Sequence, residues 1–159
     1  MERLDREGRR ADSVRRWLLS LADVTDGGEI SELDHALQVA TRALRAGADD
    51  ELVLAALCHD IGKIFGDAGH GEVAAELLRP HIRSELVEVV RHHAAFAARH
   101  WDATLHGSTD PRRQFESEPW YPTAVMFVDE WDMRSFDPDY PSASLHSFTP
   151  LIDGLIRGV

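Results

Sequence analysis

Leu52-Val53-Leu54-Ala55-Ala56-Leu57-Cys58-His59-Asp60-Ile61-Gly62-Lys63 is the stretch on which both fold and chemistry turn. Its first seven residues are apolar on every side, the pattern of a helix enclosed by other helices. Asp49-Asp50-Glu51 precede it and bring negative charge to the end where the helix dipole favours it. The reading is a central, buried helix over Leu52–Ile61. At its end two polar side chains follow one another, and an ionised carboxylate in apolar surroundings is costly unless paired or coordinated. Two readings stay open from these residues: a helix C-cap with a histidine near the negative dipole end, or a pair that straddles a dinuclear metal centre. Adjacent helical residues point about 100° apart, so His59 and Asp60 do not share one face.

Working outward, the chain reads as helices throughout. Asp12–Ala22 sets Val14, Trp17, Leu18 and Leu21 on one face. Val24 to Glu29 is a loop marked by Asp26-Gly27-Gly28. Ser31 and Asp34 have capping-box spacing, and Leu33–Ala46 follows with Leu33, Leu37, Ala40 and Leu44 on one side and Gly47 as its stop. Gly62 to Gly71 is a glycine-rich link. Glu72–Leu78 is a short helix ended by Pro80, and Ser84–Phe96 is another. Trp101–Pro119 reads as a long loop with a short helix around Arg112–Phe115. Thr123–Met133 is apolar enough for a second buried helix, Phe136–Pro141 is irregular, and Leu145–Ile156 closes the chain. Sustained period-2 alternation is absent, so the expected fold class is all-α, a helical bundle.

Composition narrows the function. At 159 residues the chain suits a single domain spanning 1–159. A net charge of −11 argues against nucleic acid, whose phosphates are bound by lysine and arginine. The lone Cys58 leaves no internal disulfide and no cysteine-based zinc site, and fits a reducing compartment. With no apolar run near 18 residues and a charged N-terminus, the expectation is a cytoplasmic protein without a membrane partner. The oligomeric state is open.

Nine histidines and a solitary lysine, Lys63, among sixteen arginines stand out. His35, His70, His92-His93 and Asp132 all fall on or beside the near-apolar segments. A single histidine on a helix is ordinarily a satisfied polar residue; a set spread over several helices is harder to explain one by one.

The order His35 … His59-Asp60 … His70 … His93 … Asp132 resembles the HD-domain superfamily, whose metal centre is built on a helical bundle from this pattern, with His-Asp-Ile-Gly-Lys as its most recognisable pentapeptide. The resemblance covers residues 29–140, which implies a core there with helices 12–22 and 145–156 packed on it. Ile30–Gln38 ahead of the first ligand, Gly47–Leu57 before His59, and Trp131-Asp132 resemble the mixed-valent diiron oxygenase branch, similar to myo-inositol oxygenase and the phosphonate-cleaving HD oxygenases. The resemblance implies that His35, His59, Asp60 and Asp132 hold one metal, and that Asp60 bridges to a second held by His70 and His93. It implies two iron ions as cofactor, although this oxygen- and nitrogen-donor set also binds Mn, Zn or Mg.

In the same way Lys63 takes the place of a substrate-contacting lysine; read by itself, it is a charge past a helix end. Weaker candidates for contacts around the substrate are Glu29, Gln38, His92, His100 and Asp129. The chain departs from the phosphonate-cleaving members in having Thr25, Gly28 and Glu29 where an aromatic hydroxyl and an acid are expected, Asp129 where a cation is expected, and no lysine after His93. The implied function is a diiron oxygenase that uses O₂ to cleave a small hydroxylated substrate of polyol, amino or phosphonate type. The alternative is a metal-dependent phosphohydrolase acting on a phosphate ester or nucleotide with the same ligands. A third reading is a non-catalytic small-molecule sensor.

If metal is held by this pattern, loss should follow position and not histidine count. His59→Ala and Asp60→Ala should each remove most of the bound metal, measured by elemental analysis, while His81→Ala and His106→Ala leave it in place. Equal loss in all four would mean adventitious binding.

Overall fold

A computed structural model describes residues 2–157, with side chains from residue 8 onward. All regular structure among these residues is helical: α1 (Glu2–Ser20), α2 (Glu32–Arg45), α3 (Asp50–Cys58), α4 (His70–Leu78), α5 (Ser84–Trp101), α6 (Tyr121–Met126) and α7 (Thr149–Leu155), joined by 3₁₀ turns and one π turn. The all-α expectation therefore holds. No helix among the described residues is long and apolar enough to cross a membrane.

Residues Leu52 to Cys58 of α3 are all buried, as an apolar circumference requires. Asp49 caps the helix by accepting a hydrogen bond from the Leu52 N–H at 3.0 Å. Helices α2 and α5 pack against α3, α4 packs along α5, and α1 meets α7 on the outside. Leu54, Leu57, Ile61, Phe96 and Phe127 lie in the shared apolar core.

The boundaries differ from the sequence reading in instructive ways. Helix α1 begins at Glu2 instead of Asp12 and ends at Ser20, giving Ala11, Val14 and Leu18 to the core, with Leu21 in the 3₁₀ turn that follows. Trp17, expected on that face, is 39% exposed. Helix α3 stops at Cys58, before the expected Ile61, so that Asp60 leaves the α-helix and a 3₁₀ turn, Ile61–Phe65, follows. Helix α5 runs past Phe96 to Trp101, carried by Ala97 and Ala98, which favour helix. The expected helix Thr123–Met133 is three pieces: α6, a π turn over Phe127–Trp131 and a 3₁₀ turn over Asp132–Arg134. At the C-terminal end a 3₁₀ turn, Leu145–Phe148, precedes α7, with Pro150 in the first turn where its missing N–H costs nothing.

Gly62 explains how two of these pieces come together. A Cβ at Gly62 would stand 2.3 Å from the His70 carbonyl oxygen, so only a glycine lets the 3₁₀ turn touch the start of α4. The contact draws His70 toward Asp60. Gly62→Ala must push that backbone apart, and a fold cost of about 1–3 kcal/mol is expected by thermal unfolding, together with weaker metal retention at His70. An unchanged melting temperature would show that α4 moves freely.

Candidate metal centre

Six side chains from five parts of the chain meet in the interior. The Ser31 hydroxyl accepts the Asp34 N–H at 3.1 Å and starts α2, which places His35 one turn in, facing the core. His59 and Asp60 follow the end of α3, His70 opens α4, and His93 lies midway along α5. Asp132 comes directly after the π turn, whose wider pitch redirects the chain just before the carboxylate is delivered. All are buried except His70, which is partly open.

The four histidines share one arrangement. Each Nδ1 donates to a backbone carbonyl: His35 to Ser135 at 2.8 Å, His59 to Ala56 at 2.8 Å, His70 to Asp67 at 2.8 Å and His93 to Val90 at 2.6 Å. These bonds fix each ring and turn its Nε2 lone pair inward. Nε2 of His35 and of His59 are 3.3 Å apart, and those of His70 and His93 are 3.1 Å apart. Two lone pairs at that distance repel unless a cation lies between them.

The acids complete the set. Asp60 Oδ2 is 3.3 Å from His35 Nε2 and 3.2 Å from His59 Nε2, while Oδ1 is 3.2 Å from His70 Nε2 and 3.0 Å from His93 Nε2. One carboxylate thus offers an oxygen to each histidine pair. Asp132 Oδ1 joins the first pair, 2.9 Å from His35 and 3.3 Å from His59. The result is two groups able to hold a metal ion, His35–His59–Asp60–Asp132 and Asp60–His70–His93, each with its ligating atoms within 4.8 Å of one another. The donors are oxygen and imidazole nitrogen, a set suited to divalent first-row metals. Cys58 is not part of it: burial pushes its thiol up to about 12 in the apolar core.

Electrostatics point the same way. Burial alone would lower the pKa of His35, yet hydrogen bonds to Asp132 and Asp60 outweigh it and raise the group to about 9. Burial is likewise overcome at His59, which the two aspartates raise well above its ordinary value. Asp60 and Asp132 are held low against burial, chiefly by the charge on His59. Without metal, His35 and His59 hold protons on atoms that a metal would use, while the two aspartates stay ionised.

A cavity of about 940 Å³ opens beside this cluster, lined by His35 and His70, by Lys63, and by residues of the loop before α2. Lys63 Nζ donates to Asp26 at 2.9 Å and to Glu32 at 3.0 Å and lies 3.4 Å from Asp60 Oδ2. Burial would lower its pKa, but Asp60 and Glu32 hold it above the usual lysine range. Phe136 stacks on His35 with ring centroids 4.3 Å apart, and Trp101 meets Phe136 edge-on at 5.6 Å. Glu29 also lines the cavity.

The other weak candidates sit elsewhere. Gln38 brackets the Asp137 backbone, donating to its carbonyl at 2.6 Å and accepting from its N–H at 3.3 Å, which anchors the loop carrying Phe136. His92 packs between Phe115 and Trp120. Asp129, where the resemblance looks for a cation, is the counter-ion of buried Arg112 and also accepts from His100 at 2.7 Å. None of these four residues lines the cavity. Sequence reading passed over Glu32, Trp101 and Phe136. Trp101 lies beyond the expected end of α5, Phe136 lies in an irregular stretch, and Glu32 meets Lys63 from thirty-one positions away.

Comparison with known proteins places this geometry. The HD-domain family profile matches residues 33–135, the span from just before the first histidine to just after the last aspartate. The chain belongs to the HD-domain family. A similar protein is [1-hydroxy-2-(trimethylamino)ethyl]phosphonate dioxygenase (glycine-betaine-forming) of Leisingera caerulea, 34% identical over 162 aligned positions that span 82% of this chain and 81% of that protein.

The protonated HD centre has a measurable signature. His35 keeps its proton up to about pH 9 in the folded, metal-free protein, whereas the unfolded chain releases it near 6.5. Its contribution is therefore full below pH 6.5 and is lost as pH rises to 9, up to about 3 kcal/mol. Thermal unfolding of chelated protein should fall across this window. Metal-loaded protein should not follow it, because a metal displaces the proton and binds more tightly as proton competition fades. Parallel profiles for the two forms would count against metal at His35.

Proposed function

We propose that the protein is a diiron oxygenase that uses O₂ to cleave a small hydroxylated substrate. The observation that carries the two-metal part of this reading is the shared Asp60: one carboxylate presents separate oxygens to two histidine pairs, with a second carboxylate on one side only. That gives one site richer in ligands and one poorer, an asymmetry suited to two ions with different tasks. The similarity to a dioxygenase supports the same chemistry. Iron bound in these positions supplies electron transfer to O₂, which no side chain provides.

The protein's own part is positioning. His35, His59, Asp60 and Asp132 would hold one iron, and His70 and His93, with Asp60 between, the other. The four Nδ1 hydrogen bonds keep the imidazoles in the orientation and tautomer for binding before any metal arrives. Lys63 sits on the cavity wall next to Asp60, held in place by Asp26 and Glu32, where its ammonium can donate to a substrate oxygen. Phe136 covers His35 and keeps water from that side of the cluster.

Metal analysis with electron paramagnetic resonance on protein grown with iron tests the reading. Two irons per chain and a mixed-valent signal on partial oxidation are expected, with O₂ uptake when substrate is added. Lys63→Ala should keep both irons but lose most turnover, since misplaced substrate forfeits the orientation advantage. A redox-silent metal with turnover of phosphate esters would select the hydrolase instead, and full activity in Lys63→Ala would remove that residue from the site.

A further inference from the structure

Another cavity, of about 570 Å³, shares no residue with the one beside the metal centre. It lies between α1, the end of α4 and the end of α7, and its volume is that of a small-molecule site, roughly 300–1,000 Å³. The chain carries 28 acidic residues against 17 lysines and arginines, yet the described residues around this cavity include Arg9, Arg10 and His81 and no acid. In a protein of net charge −11 this wall reverses the sign of its surroundings, and a concave, low-dielectric wall concentrates such a field.

Helix geometry arranges the lining. Arg10, Val14 and Trp17 stand at i, i+4 and i+7, so one stripe of α1 runs from a cation across an apolar side chain to an indole about 10 Å further along. Leu77 and Ile156 add apolar surface from α4 and the end of α7. Trp17 lies on the face that periodicity assigns to the core and is nevertheless 39% exposed, lining the cavity. Arg9 has a partner of its own, whereas the Arg10 guanidinium makes no hydrogen bond or ion pair among the described residues. Burial, and after it the charge of Arg10, hold the His81 pKa below its ordinary value, so that ring is neutral at pH 7. One uncommitted guanidinium therefore sets the charge of the site. Its planar fork matches a carboxylate through two parallel hydrogen bonds, and a single cation balances a single negative charge.

We propose that this cavity is a binding site for a small amphipathic carboxylate, with the anion on Arg10 and the apolar body against Trp17, Leu77 and Ile156. The site is separate from the metal centre and does not depend on the oxygenase reading. The spacing along α1 sets the size of the occupant, a rigid aromatic or short alkyl body of about 10 Å.

Calorimetric titration of the metal-loaded protein tests this without requiring turnover. The probes are 2-naphthoate, its uncharged counterpart 2-naphthalenemethanol, and the more highly charged 2-naphthyl phosphate. The carboxylate is expected to bind at least about tenfold more tightly than the alcohol, more tightly than the phosphate, and less tightly as salt rises. Arg10→Gln and Trp17→Ala, both at exposed positions, divide the two halves of the site. Arg10→Gln should bring 2-naphthoate down to the affinity of the alcohol and leave the alcohol unchanged, whereas Trp17→Ala should weaken both several-fold. Metal content and the absorption and paramagnetic resonance spectra of the metals should stay the same throughout. Equal affinities for acid and alcohol, tighter binding of the phosphate, or no binding of 2-naphthoate at about millimolar concentration would overturn the proposal. So would 2-naphthoate that binds Arg10→Gln as it binds the unaltered protein while changing the metal spectra, since the carboxylate would then be on the metals.

Discussion

A single carboxylate, that of Asp60, is the constraint from which the rest of the interior follows. It is 3% exposed and lies within 3.3 Å of four imidazole nitrogens, with the Lys63 ammonium 3.4 Å away. An ionised group in that position is tolerable only if its surroundings supply positive charge. The fold supplies it from α2, α3, α4 and α5 at once, so the helices are tied to one another through this residue as well as through their apolar faces. Protons can meet the need, as the raised pKa values of His35 and His59 show, and metal ions meet it better because they also satisfy the converging lone pairs.

The second tier of contacts keeps those groups in place. Four backbone carbonyls hold the rings, Ser135 among them, and the Ser135 hydroxyl donates to Trp131 while accepting from Arg42 at 3.1 Å. Gln38 pins the loop after Ser135, which sets Phe136 over His35. Arg112, buried at 3%, links the carbonyl of Phe96 to Asp129 and so binds the long connection after α5 to the π turn that precedes Asp132. Of the polar residues read as weak substrate candidates, Gln38 and Asp129 are part of this framing, while Glu29 lines the cavity.

How much was legible in the chain depends on whether the information was local. The apolar circumference of Leu52–Cys58 and the Ser31 cap are properties of neighbouring residues, and both appear in the structure. The link read over Gly62–Gly71 instead opens with a 3₁₀ turn, Ile61–Phe65, and ends inside α4, which starts at His70. The helix ends were less legible where stopping depends on a distant partner. Helix α3 gives way after Cys58 and a π turn interrupts the Thr123–Met133 segment, at the two places where carboxylates must be aimed at the histidines. Periodicity has no means of registering such a break, since the apolar pattern continues through it.

By itself, the sequence determined that the chain is all-helical, that α3 is its buried axis, and which histidines and aspartates are chemically eligible, because apolar periodicity and residue type are written locally. The place of Asp60 between two histidine pairs was implied by the family resemblance; only the tertiary structure decided that Glu32 and Asp26 hold Lys63, and that Trp101 and Phe136 wall the cavity. Asp129 and Arg112 make the point most simply. They are seventeen positions apart and joined by a bidentate ion pair, and neither residue type nor spacing foretold it. Such contacts depend on how loops return across the bundle, and the physical cause of that return is the burial of charge in a core that must neutralise it.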